Sequence, residues 1–285
     1  MRKKLLVLGA FVSVVMLVSC TGSKKEAVNY TPEEIADAGQ VVKYYDTSLA
    51  LLKNLVKERD VNAVLGYMEQ QAKVQMFSHI MSPVISKKDS AAVIQPGDYF
   101  GDDVRQNLIQ NYTELFQSRG QFYANFNKYL SLLKEKKTEG IADLLNDNYE
   151  LSVEMSECKQ NIFDILSPIV AQAQQVLLAE NPVKEQIIAM KKMSLTMQSI
   201  INQIYARKHV EDKVRLDLKI VELRLQLDAA EKLPAVKGHE EQTEKFKDFL
   251  SKTEKFMKIV QDIRQKNSYT EDDFDEISSY GLSII

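Results

Sequence analysis

Apolar residues recur along this chain at steps of three and four almost without interruption, the pattern of helices with one buried face. The helical pattern opens at Thr31-Pro32-Glu33-Glu34. Thr31 suits a helix cap, Pro32 the first helical position, and Glu34 the reciprocal site three residues on. A first helix runs from there to about Arg59, with Ile35, Val42, Leu49, Leu52 and Val56 inward. A second covers about Asp60 to Ser82, carrying Val64, Tyr67, Met68, Val74 and Ile80. Residues 83–101 read as a loop, punctuated by Pro83, Pro96-Gly97 and Gly101. A third helix spans about Asp102 to Lys137. Its seam is Leu108, Tyr112, Leu115, Arg119, Phe122, Phe126, Tyr129 and Leu133, and Ile109, Phe116, Tyr123 and Leu130 widen it. A face this wide needs neighbours on two sides.

A fourth helix spans about Thr138 to Glu180, with Pro168 expected to kink or break it near Ser167. Asn181-Pro182 marks a new start. A fifth element reaches from Val183 to about Leu233, with the charged run Arg207 to Lys213 either solvated or splitting it. Within it, residues 214–227 alternate apolar and polar almost strictly, which is a strand pattern. We read a helix instead, because Leu, Arg, Lys, Glu and Gln are helix formers and a lone strand has no partner. That helix carries two opposite apolar stripes: Val214, Leu218, Val221, Leu225, and Leu216, Ile220, Leu223, Leu227. Two apolar faces predict central burial in a bundle. A sixth helix covers about His239 to Asn267, and a short last one starts at the cap Thr270, with Asp273 three residues on. The expected fold is all-α, an elongated bundle of long antiparallel helices forming one domain over residues 31–285.

The first 30 residues belong to a different pattern. Arg2, Lys3 and Lys4 precede the 13-residue apolar run Leu5–Leu17, and Leu17-Val18-Ser19-Cys20 closes it. A basic flank, a short apolar stretch and small residues make a signal peptide over residues 1–19; the run is too short to span a bilayer. A cysteine directly after Leu-Val-Ser resembles the bacterial lipoprotein signal, which implies cleavage before Cys20 and acylation of its thiol. Residues 20–30 then read as the lipidated N-terminus and a flexible tether. Thr21 is not aspartate, which by resemblance to lipoprotein sorting implies the outer membrane, facing the periplasm.

Charge and cysteines narrow the picture further. Removing the signal takes three basic residues from 37 and leaves 34 against 40 acids, a net −6. That balance argues against nucleic acid as a partner. With Cys20 committed to lipid, Cys158 has no disulfide partner. It lies on the seam Leu151, Met155, Cys158, Ile162, Ile165, Ile169, so a buried, inert thiol is expected.

Little in the chain suggests catalysis. His79, His209 and His239 lack metal-ligand spacing. Gly238-His239-Glu240-Glu241 does not match the G-x-H-x-x-E of imelysin-type proteins and reads as a solvated helix start. Met190, Met193 and Met197 form a stripe at core spacing. No phosphate-binding or nucleophile motif occurs, and no cofactor is implied. Arg119 stands out as a cation in an aromatic seam. It is either a partner or anion contact beside Phe122 and Tyr123, or an arginine paired with another helix or reaching solvent.

A lipobox, a short tether and an all-helical domain resemble the YiiG-like bacterial lipoproteins, a family of unknown function; Lys43-Tyr44-Tyr45 is similar to that family's lysine-tyrosine-asparagine run. The resemblance implies no active site. The expected function is a non-enzymatic, membrane-anchored binding or scaffolding module with an envelope protein as partner. A hydrolase built from distant acids and histidines, or a small-ligand carrier, are the alternatives.

Overall fold

The computed structural model describes residues 29–70, 85–205, 211–265 and 271–280, and among these it holds nine α-helices and no strand. Cys20, the signal segment, His79, His209, Val74, Ile80 and Thr270 lie outside the described residues. The all-α expectation holds.

Helix α1 (Pro32–Leu55) starts as its sequence dictates. The Thr31 hydroxyl accepts from the Glu34 N–H at 3.2 Å, and the Glu34 carboxylate accepts from the Thr31 N–H at 2.7 Å. The helix stops at Leu55, four residues before the expected end, and α2 (Glu58–Glu69) begins after Val56-Lys57. The expected loop contains a helix of seven residues, α3 (Lys87–Val93), capped by the Ser86 hydroxyl accepting from the Asp89 N–H. A single buried residue, Val93, anchors it, too little for periodicity to register. Helix α4 (Asp102–Lys134) and α5 (Ile141–Leu177) follow. They run antiparallel: Asn148 of α5 donates to the Phe122 carbonyl, and Cys158 faces Glu114. Gly140, at φ 79°, makes the sharp entry into α5, a conformation that a Cβ would strain. Pro168 sits inside α5 and does not break it. The N–H that it lacks would have bonded Asp164, and the Ser167 hydroxyl donates to the Phe163 carbonyl at 2.6 Å in the same turn.

Leu108, Tyr112, Leu115, Phe122, Phe126 and Tyr129 of the α4 seam are buried together with Val64, Leu65 and Met68 of α2 and Met155, Ile162 and Leu166 of α5. In the helices around this core, Ile35 and Ile109, expected inward, are 45% and 38% exposed. Ile109 lies beside Leu108, which is fully buried, so at this level of α4 the core takes the Leu108 side of the helix.

The fifth element is two helices, α6 (Lys184–Tyr205) and α7 (Glu211–Ala230), and the chain reverses between them. Thr196 of α6 meets Gln226 of α7, and the Gln186 side chain donates to the Pro234 carbonyl beyond α7. With α8 (Glu240–Gln265) and α9 (Glu271–Ser278) they enclose a second core. It is built on Met193, Met197, Ile200, Leu223, Leu227 and Phe256, all essentially inaccessible to solvent. Two of the three stripe methionines therefore fill core space, and Met190 packs beside them. The two cores meet where α6 lies along α5.

Candidate functional site

Helix α7 is the element whose surroundings depart most from expectation. Its sequence offers two equally apolar stripes, and packing uses one. Leu223 and Leu227 are 0% exposed, with Leu216 and Ile220 beside them in the second core. The opposite stripe faces outward: Val214 is 63% exposed, Leu218 65%, Val221 56% and Leu225 64%. The predicted central burial is thus wrong for this helix. α6 and α8 cover its inner side, and no described element covers its outer one.

Polar side chains hold α7 down on both flanks of that stripe. On one side Arg215 is ion-paired with Asp164 of α5, and the Lys219 ammonium lies 2.9 Å from Glu222. The Gln226 amide donates to Thr196 of α6 and to Glu222. On the other side Asp217 pairs with Arg264 of α8. The stripe is a framed ridge, about 17 Å long at 1.5 Å per residue. Its spacing of four, three and four is that of a coiled-coil seam.

Between α5, α6 and α7, Asp164, Thr196, Lys219 and Glu222 also line a cleft of about 280 Å³. Phe163, Pro168 and Leu195 supply its apolar wall; Asp164, Lys192, Lys219 and Glu222 bring charge, and Ser167, Thr196 and Ser199 hydroxyls. The buried Gln160 amide donates to Asp164 at 2.8 Å and to Ser199 at 3.2 Å, tying α5 to α6 beneath it. Two ammoniums and two carboxylates side by side make a locally neutral surface, without the excess of one sign that a charged ligand requires.

Arg119 is 6% exposed, so the structure puts the cation inside the first core. Its Nε donates to the Leu55 carbonyl at 3.0 Å, and the guanidinium lies 5.0 Å from the Tyr123 ring centre. Burial lowers its pKa from the ordinary arginine value, while Tyr123 and Asp60 push the other way. Lys159 of α5 donates to the next carbonyl, Val56, at 3.4 Å. Two cations from two helices thus serve the carbonyls that α1 leaves open at its end. Sequence reasoning found Arg119 and missed its task, because the end of α1 carries no glycine or proline to announce it.

The remaining candidates are ordinary in their settings. Cys158 is buried, and desolvation together with Glu114 and Glu154 pushes its thiol up to about 12. His239 stands just before α8, where Glu240 accepts from the Gly238 N–H at 3.0 Å and thereby closes the helix start. Among the described residues no group of three or more His, Cys, Asp or Glu side chains is placed to hold a metal ion, and no helix is long and apolar enough to cross a membrane.

Residues 32–180 match the family described as a domain of unknown function, DUF6845, and residues 182–285 match the DUF3829-like C-terminal domain. The two matches meet where the two cores meet. The chain belongs to the DUF3829-like proteins, a family of unknown function. It is 53% identical to an alpha helical protein from Bacteroides fragilis, over 88% of this chain and 98% of that one, with a TM-score of 0.81. It is 49% identical to an uncharacterized DUF3829-like protein from Bacteroides thetaiotaomicron, over 89% of this chain and all of that one (100%), with a TM-score of 0.76. No curated protein matches the chain. These matches support a family of unknown function; they do not support the YiiG-like kinship suggested by Lys43-Tyr44-Tyr45. In this DUF3829-like chain Tyr44 and Tyr45 are core residues, and the Tyr44 hydroxyl donates to the Val93 carbonyl at 2.6 Å.

Proposed function

We propose that this DUF3829-like chain is a lipid-anchored envelope protein, held by Cys20, that binds a protein partner through the outer face of α7 and performs no catalysis. The carrying observation is the four-residue apolar ridge, each member more than half exposed. Single exposed apolar residues are ordinary on a protein surface, but a contiguous, framed set at seam spacing marks an interaction surface. Such a ridge is read by a second amphipathic helix laid along it. The anchor rests on the N-terminal pattern from Arg2 to Cys20.

Two measurements test this reading. A photo-crosslinking residue in place of Leu218 is expected to give a light-dependent protein adduct in intact cells; its absence would overturn the binding surface. Cys20→Ala is expected to move the protein from the membrane fraction to the soluble periplasm, and unchanged sedimentation with membranes would remove the anchor. A second reading, a small-ligand carrier, has the α5–α6–α7 cleft in its favour. Its mark would be a ligand that co-purifies with the wild-type chain and is lost on Thr196→Leu.

A further inference from the structure

We infer that the partner of the α7 ridge is a second copy of this chain, laid antiparallel about a twofold axis between Leu218 and Val221. The inference rests on the proposed binding role of α7 and adds the identity of the partner, which the charges beside the ridge specify.

In seam terms Val214 and Val221 occupy one core position and Leu218 and Leu225 the other. An antiparallel pair centred on the ridge sets Val214 against Leu225 of the other copy, and Leu218 against Val221. Every layer then pairs a valine with a leucine, which keeps the layer volume constant. Residues 215 and 222 lie on one side of the seam, and 217 and 224 on the other. In the antiparallel arrangement each side meets its own kind. Arg215 comes opposite Glu222 of the second copy, and Asp217 opposite Arg224, and the axis repeats both pairings. A parallel pair instead sets Asp217 against Glu222 of the other copy, two like charges at the seam edge, which disfavours it. The surface is complementary to itself in one orientation and repulsive in the other, which is the requirement for a closed twofold contact.

The flanking groups remain available. The Arg215 and Asp217 side chains are 49% and 47% exposed despite their intramolecular pairs, and Glu222 is 42% exposed. Arg224 is exposed. A ridge about 17 Å long is shorter than a standard interface of roughly 1,600 Å² requires. The contact is therefore weak in dilute solution and gains from confinement of both copies to one membrane surface.

The test is disulfide trapping in intact cells with the full-length chain in two differently tagged copies. Val214→Cys in one copy and Leu225→Cys in the other are expected to give a mixed dimer on mild oxidation. Neither variant alone should dimerise, because the two like positions lie about 16 Å apart along the axis. Arg224→Glu in one copy should lower the mixed dimer several-fold, and Asp217→Lys in the other should restore it. Self-trapping of Val214→Cys alone, or indifference to the charge changes, would overturn the antiparallel pair. No self-adduct, with a photo-adduct of another mass at position 218, would overturn the second copy as partner and leave the binding role of α7 standing. Absence of any adduct would remove both.

Discussion

Arg119 occupies an aromatic seam because a helix ends beside it. Its Nε and the Lys159 ammonium reach the Leu55 and Val56 carbonyls, groups that have no partner within α1. Arg119→Ala should cost about 2–3 kcal/mol, the worth of a buried hydrogen bond from a charged group. That corresponds to a melting point lower by roughly 4–12 °C for a chain of this size. Arg119→Met should recover the packing of the stem and less than half of the loss. Unchanged melting in both variants would place the guanidinium outside the fold's economy of hydrogen bonds. Cys158 gives a second check: with its thiol pushed up to about 12 and buried, the Cys20→Ala chain should show no reactive thiol at pH 8 until denaturant is added. The oddity of Arg119 was legible in the sequence, since a cation interrupts a run of Leu, Tyr and Phe. The Leu55 carbonyl it serves lies 64 residues away, and no local pattern encodes that distance.

At the scale of elements, periodicity located the long helices and failed where a choice depended on neighbours. The α7 segment reads as a helix with two apolar stripes, and the side chains of the two are nearly equivalent in hydrophobicity. Which stripe faces inward is decided by α6 and α8, so the ridge could not be found in α7 alone. Its role predicts a sharp contrast between faces. Leu218→Lys with Leu225→Lys should leave stability within about 0.5 kcal/mol, as exposed substitutions do. Leu223→Ala, one turn away and fully buried, should cost about 2–5 kcal/mol. Equal effects in thermal melts would mean that the outer stripe is covered. The end of α1 and the seven residues of α3 escaped for related reasons: the first has no breaker residue, and the second buries one side chain.

The whole molecule divides unevenly in its chemistry. Burial holds the phenols of Tyr44, Tyr45 and Tyr112 above their ordinary value of 10.0 and the thiol of Cys158 above 9.0, and all four lie in the first core. In the unfolded chain these groups ionise from about pH 9 upward; in the folded one they stay neutral. The stability they contribute is whole below that pH and is lost as pH rises toward the folded values. Alkaline titration should therefore melt the first core while the second persists, with phenolate absorbance appearing as helix content falls. Ionisation of Tyr44, Tyr45 or Tyr112 by pH 10, read residue by residue and without loss of helix, would contradict this. Asn181-Pro182 marked the junction in the sequence, but the division into two cores was not readable there, since helices on both sides carry the same kind of apolar seam.

The capping of α1 also sets an order of events in time. The residues that complete its end lie 64 and 103 positions downstream of the carbonyls they meet. A chain delivered from its N-terminus through a narrow pore thus emerges with α1 unfinished until α4 and then α5 arrive. Contacts that distant in sequence slow closure. On the proposed envelope location, the end of α1 would be completed, and the first core closed, only after Lys159, more than half of the polypeptide, had followed it.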